Sequence, residues 1–124
     1  MIVRTALAAA ALLLAVTSAQ AAPPGQSHTT LGYVLTDEKG MSLYIFDKDV
    51  DGKIACVDAC AQNWPPLMAA AADKATGDYS IVNRADGAKQ WAYKGKPLYR
   101  WIKDMKPGDT SGDGFKDLWK VARP

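Results

Sequence analysis

Apolar positions along the chain fall into two regimes. From Met1 to Ala21 they form one block: a basic start at Arg4, the run ALAAAALLLAVTSA, and a small-x-small close at Ala19-Gln20-Ala21. Such a run is short for a bilayer span, and its ending is the pattern signal peptidase reads. Residues 1–21 are therefore expected to be a signal peptide, with a periplasmic or secreted product and no transmembrane segment after processing. Beyond Ala21 the apolar residues come in short runs broken by Gly, Asp and Lys, which is the pattern of strands and turns.

Three such patterns predict hairpins. LGYVLTDEKGMSLYIF has apolar-rich runs on either side of Asp37-Glu38-Lys39-Gly40, with Gly where a turn needs positive φ. YSIVNRADGAKQWAY turns at Asp86-Gly87, and QWAYKGKPLYRWI turns at Lys94-Gly95-Lys96. LWKVA near the end alternates like a last strand. VDACAQNW is the helical stretch, stopped by Pro65-Pro66, and MAAAADKATGD reads either as a helical extension or as a surface loop. Within the strand from Leu43, strand period sends Leu43 and Ile45 to one face and Tyr44 and Phe46 to the other. A strand bulky on both faces is covered on both sides, or its aromatic face is a recognition surface.

Sliding the chain against itself reveals an internal repeat at an offset of 55 residues. Lys39-Gly40 falls on Lys94-Gly95, Leu43-Tyr44 on Leu98-Tyr99, Phe46 on Trp101, and Lys48-Asp49 on Lys103-Asp104. Asp58 falls on Asp113 and Trp64 on Trp119, without a gap. Two copies are too few for a solenoid, so they are expected to share one core. The reading is a mainly β, small antiparallel domain built from two related half-units, about 31–68 and 78–124, with a short helix after the first repeat. Residues 22–30, containing PPGQSHTT, are expected to be a flexible N-terminal segment before a single domain at 31–124.

Composition adds limits. The net charge is +2 over 124 residues, and removing Arg4 with the leader leaves acids and bases almost equal. Neither nucleic acid nor a membrane surface is indicated as a partner. Among the acids Glu38 stands alone beside many Asp, which favour turns over helix interiors. Cys56 and Cys60 in an exported chain point to one disulfide. Their C-x-x-x-C spacing differs from the C-x-x-C of redox centres, so the bridge is expected to be structural, holding one turn closed.

The stretch DKDVDGKIACVD also resembles a calcium loop. Asp47, Asp49, Asp51, Gly52, Ile54 and Asp58 occupy the positions an EF-hand gives to ligands, the turn glycine and the apolar anchor. Against calcium, the segment before Asp47 has a strand pattern, Asp58 is shorter than the usual Glu, and Cys56 falls inside the loop. The competing reading has Asp49 and Asp104 accept hydrogen bonds from turn N–H groups.

LYIFDKD and LYRWIKD both fit Y-x-[FWY]-x-x-D, the signature of the bacterial "secreted repeat of unknown function" proteins. CVDACAQNWPPL, RADGAKQWAYKGKPLYRW and PGDTSGDGFKDLWKVA resemble further hallmarks of that family, and the likeness runs from about Leu31 to Pro124. The resemblance assigns Tyr44, Phe46, Asp49, Trp64, Tyr99, Trp101, Asp104 and Trp119 to the family motif. It implies an exported, mainly β repeat module with a disulfide, and brings no catalytic residues. Many relatives carry a lipid-attachment Cys, which this chain lacks.

Function classes follow from these residues. His28 is the one His and sits outside the expected domain, which removes His from any triad, general base or metal cluster there. An Asp pair acting as in glycosidases remains the enzymatic option, and catalysis is not expected. Copper or haem would need Met41, Met68, Met105 or His28, whereas scattered Met are usually core filler. A binding module would stack a glycan or an envelope protein on Tyr44, Tyr99, Trp91 and Trp101, with Lys94 and Lys96 at the rim. A calcium-binding module through Asp47, Asp49, Asp51 and Asp58 is the alternative, and a purely structural envelope protein is the third class.

Overall fold

Strand pairing in this protein joins neighbouring strands in three ladders and opposite ends of the chain in a fourth. The computed structural model describes residues 24–124, so the expected signal peptide lies outside the described residues. β1 (Gly25–Thr29) and β2 (Gly32–Thr36) form an antiparallel hairpin with His28 opposite Tyr33. β3 (Tyr44–Phe46) pairs with β7 (Trp119–Val121), Tyr44 lying opposite Val121 and Phe46 opposite Trp119. β4 (Tyr79–Asn83), β5 (Lys89–Tyr93) and β6 (Lys96–Pro97) make a three-stranded antiparallel meander. The helix α1 (Ala59–Asn63) follows the first repeat, and a 3₁₀ turn (Phe115–Asp117) precedes β7. Among the described residues no helix is long and apolar enough to cross a membrane.

The two copies meet back to back at their tyrosines. Tyr44 N–H donates to Tyr99 O at 2.8 Å and Tyr99 N–H to Tyr44 O at 3.0 Å. Around this point each copy completes its sheet with the tail of the other. Leu43 donates to Leu35 O (2.9 Å), Leu35 to Ala122 O (2.8 Å) and Ala122 to Leu43 O (2.8 Å). In the second copy Leu98 donates to Trp91 O, Trp91 to Leu67 O and Leu67 to Leu98 O, each at 2.9 Å. Ala122 belongs to the second copy and Leu67 to the first, so the ends are exchanged and the halves are interlocked.

Strand alternation then fills two cores. Leu43 turns to one face, where Leu35, Trp91, Leu98 and Ala122 are buried. Tyr44 turns to the other, where Val34, Cys56, Trp64, Tyr99, Trp101, Trp119 and Val121 are buried. A strand apolar on both faces is here a strand with a core on both faces.

The hairpins expected at Asp86-Gly87 and Lys94-Gly95-Lys96 form as β4–β5 and β5–β6. The one expected at residues 37–40 is reduced to a turn with a single bridge, Thr36 to Ser42, because β2 pairs with β1 and β3 with β7. Asp37 shapes its turn by accepting Lys39 N–H and Met41 N–H on Oδ1, both at 2.9 Å, and Gly40 takes φ +81°. At Asp86-Gly87, Ala88 N–H donates to Asp86 Oδ1 at 2.9 Å. MAAAADKATGD resolves to a loop, in which Asp73 Oδ2 accepts Ala70 N–H at 2.7 Å. Another expectation is corrected. The stretch expected to be flexible carries β1, paired along its length with β2. Its sequence, GQSHT, has no apolar alternation to announce a strand. It is held by backbone pairing and by Thr29, whose hydroxyl donates to Gly32 O (2.9 Å) and accepts Leu31 N–H (3.1 Å).

Candidate functional site

The signature residues form a reciprocal lock. Strand alternation points Tyr44 and Tyr99 inward, and the chain then turns back at Phe46 and Trp101, with Asp49 N–H on Phe46 O (3.0 Å) and Asp104 N–H on Trp101 O (3.1 Å). This turn sets the spacing of the motif. It delivers each aspartate to the tyrosine of the other copy: Tyr44 Oη donates to Asp104 Oδ2 at 2.5 Å and Tyr99 Oη to Asp49 Oδ2 at 2.6 Å. The remaining oxygens gather the loops that follow. Asp49 Oδ1 accepts Ala55 N–H at 2.7 Å. Asp104 Oδ1 accepts Ser111 N–H (3.0 Å) and the Ser111 hydroxyl (2.6 Å). Gly112 N–H adds a longer bond to Tyr44 Oη at 3.3 Å.

Burial sets the electrostatics of this cluster. Both tyrosines are fully buried, and burial, reinforced by the bond to the facing carboxylate, raises each hydroxyl far above its ordinary value. The Asp49 carboxyl is also raised by burial, against the lowering effects of the Tyr99 hydroxyl, Ala55 N–H and Arg84. A buried charged acceptor needs this many donors to be tolerated.

Beside the lock runs a column of four aromatic rings. Phe46 stacks on Trp119 (4.2 Å, 12°), Trp119 on Trp64 (3.8 Å, 2°) and Trp64 on Trp101 (4.0 Å, 25°). The repeat maps Phe46 onto Trp101 and Trp64 onto Trp119, so the centre of the column is the centre of the pseudo-twofold. Tyr44 meets Trp64 edge-on at 5.3 Å and Tyr99 meets Trp119 edge-on at 5.1 Å. Gly112 must be small: a Cβ there would lie 2.7 Å from the Trp64 ring.

These contacts correct the expected recognition surface. Tyr44 and Tyr99 are 0 % exposed, Trp91 1 % and Trp101 7 %, so none presents a face for a glycan or protein to stack on. Three of them belong to the lock and its column, and Trp91 fills the opposite core. Trp91 Nε1 is buried without a hydrogen-bond partner. Lys94 and Lys96, expected at the rim, are exposed.

The calcium loop resolves into a turn. Asp49 faces Tyr99 and Ala55, and Asp47 lies 3.5 Å from Lys120 Nζ. Asp51 and Asp58 are exposed, on left-handed backbone at φ 52° and 55°. Among the described residues no three His, Cys, Asp or Glu side chains are grouped to hold a metal ion. Asp49 is drawn into the lock and Asp47 to Lys120. The disulfide Cys56–Cys60 closes the following turn, with Cα atoms 5.1 Å apart.

A groove of about 570 Å³ lies where β3 and β7 pass the β5–β6 turn. Ile45 and Ala122, with the backbone of Val121 between the strands, line its floor, Tyr93 a wall, and Lys94, Lys96, Lys120 and Arg123 its rim. Asp113 also lines it, with Oδ1 accepting Val121 N–H at 3.0 Å. The pseudo-twofold produces a second, smaller groove of about 210 Å³, where Arg100, Pro66, Leu67 and Met68 replace Ile45, Val121, Ala122 and Arg123. Lys39 there matches Lys94, and Asp37 and Glu38 add negative charge. Sequence reasoning named two rim lysines of the larger groove and missed its floor, which joins strands from opposite ends of the chain. It also missed Ser111 and Gly112. Ser111 was within reach, because the repeat offset sets it on Cys56.

A mainly β module of two interlocked copies, bound by crossed tyrosine–aspartate pairs, is the class these features define. A family model described as a secreted repeat of unknown function matches residues 26–68 and 80–123. The chain belongs to that family. No curated protein and no solved structure matches it.

Proposed function

We propose that the protein is an exported, non-catalytic binding module whose signature is structural and whose ligand site is the larger groove. The observation that carries this reading is the reciprocal lock. The hydroxyls and carboxylates best suited to acid–base work are bonded to one another and to loop N–H groups, with Tyr44, Tyr99 and Asp104 buried and Asp49 half-buried. General acid–base catalysis needs such groups within hydrogen-bond reach of a substrate. The groove has the opposite character, with an apolar floor, exposed charges at the rim and a volume in the range of small-molecule sites. Its floor is rigid, because β3 and β7 are pinned from behind by the stacked Phe46 and Trp119. The disulfide and a family described as secreted, together with the signal peptide expected from the sequence, support an extracytoplasmic setting.

A fragment screen on nitrogen-15-labelled protein tests this. Saturable shifts are expected at the amides of Ile45, Tyr93, Val121 and Ala122, with those of Tyr44, Asp49, Tyr99 and Asp104 unmoved. Fragments that cluster instead on the signature residues would transfer the site to the lock.

A further inference from the structure

We infer that the larger groove takes an anionic amphiphile, a ligand with one carboxylate or phosphate head and an apolar body; this rests on the groove being the ligand site. Charge is the first argument. Four cationic side chains stand at the rim against one carboxylate, Asp113, and that carboxylate accepts a backbone N–H. Two of the four have acceptors of their own: Lys120 Nζ lies 3.5 Å from Asp47, and Arg123 donates to Leu31 O at 2.6 Å. Lys94, whose Nζ sits 5.3 Å over the Tyr93 ring, and Lys96 are the pair left for an incoming anion.

The floor is the second argument. Ile45 and Ala122 carry no side-chain polar atom, so a ligand charged along its whole length would leave its inner groups unsolvated and unpaired. An apolar body on the floor with a single anion at the Lys94–Lys96 edge satisfies both surfaces. A long polyanion is also disfavoured by the overall charge of +2, which gives no extended positive track.

The repeat supplies a control. The smaller groove keeps the lysine at Lys39, but Asp37 and Glu38 line it too and Arg100 replaces Ile45. The same scaffold thus presents one groove suited to an anionic amphiphile and one that is not.

The test titrates the disulfide-bonded, nitrogen-15-labelled protein with octanoate, octyl phosphate, octyl glucoside and inorganic phosphate, all below micellar concentrations. Octanoate and octyl phosphate are expected to shift the amides of Ile45, Tyr93, Val121 and Ala122 saturably, and whichever binds tighter identifies a fatty carboxylate or a phosphate-headed source. Octyl glucoside and inorganic phosphate should each bind at least tenfold more weakly. Affinity for the anionic probes should fall on adding salt, as for partly exposed charges. Lys94→Glu with Lys96→Glu, both exposed, should weaken octanoate at least tenfold with an unchanged Tm, while Lys39→Glu in the smaller groove should leave it as it is. Octyl glucoside binding in the same groove as tightly as octanoate would overturn the anionic assignment and leave the groove as the site. Shifts outside the groove, or none with any probe, would overturn the groove itself.

Discussion

In the first copy the loop after the signature is closed by the Cys56–Cys60 disulfide; in the second the same two positions hold Ser111 and Phe115. Ser111 ties its loop by donating its hydroxyl to Asp104 at 2.6 Å. Phe115 packs its ring 5.1 Å from Trp101 and 5.8 Å from Trp64. A covalent bridge and a hydroxyl with an aromatic ring therefore do one job, holding the loop that passes N–H groups to the signature aspartate. The tyrosine, aspartate and tryptophan that the copies share are the groups that cross the pseudo-twofold. The grooves, which face solvent, have diverged to cationic and mixed rims. Where the halves contact each other they have kept the same chemistry, and where they face outward they have not.

The largest effects should come from the centre of the column. Trp64→Ala and Trp119→Ala should each cost about 3–5 kcal/mol, the range for truncating a buried aromatic. If the pseudo-twofold governs the energetics, the two costs should agree within about 1 kcal/mol when read by denaturant unfolding. A large inequality would break the symmetry claimed for the core.

Alkaline titration comes next. Tyr44 and Tyr99 hold their protons in the folded protein beyond the point at which unfolded tyrosine releases them, near pH 10. Their contribution is fully present below that pH and is lost as pH rises toward the folded values, since the native state then binds more protons than the unfolded one. Stability should fall by up to about 1.4 kcal/mol per pH unit for each tyrosine, and Tyr44→Phe with Tyr99→Phe should flatten the slope.

The two loop closures should separate by size. Replacing Cys56 and Cys60 by Ser should cost about 2 kcal/mol, the low end expected when so few residues are enclosed. Ser111→Ala should cost about 1 kcal/mol, one hydrogen bond to a carboxylate, because Ser111 N–H still reaches Asp104. Equal losses in thermal melts would show that the bridge holds its loop no more strongly than the Ser111 hydroxyl holds the other.

Much of this was legible in the chain. Gly and Asp placed the turns at residues 37–40 and 86–87, and the offset of Tyr44, Asp49 and Trp64 onto Tyr99, Asp104 and Trp119 announced the duplication. A repeat cannot, however, say which aspartate a tyrosine will meet, since both readings leave the sequence unchanged. Only the exchange of chain ends, with Ala122 in the first copy's sheet and Leu67 in the second's, decides it. β1 stayed hidden because its residues are polar and its stability is backbone pairing. The calcium resemblance arises because turns and calcium loops draw on the same residues, Asp and Gly, at similar spacing. Aromatic residues suited to stacking on a ligand proved equally suited to stacking on each other.

The central claim is that the signature acts across the two copies, and double-mutant cycles test it most directly. Tyr44→Phe combined with Asp104→Ala, and Tyr99→Phe with Asp49→Ala, should show coupling of about 1–3 kcal/mol in unfolding free energy. Tyr44→Phe with Asp49→Ala, which pairs residues of one motif, should be additive within about 0.5 kcal/mol. Strong coupling within a motif and additivity between motifs would contradict the crossed lock.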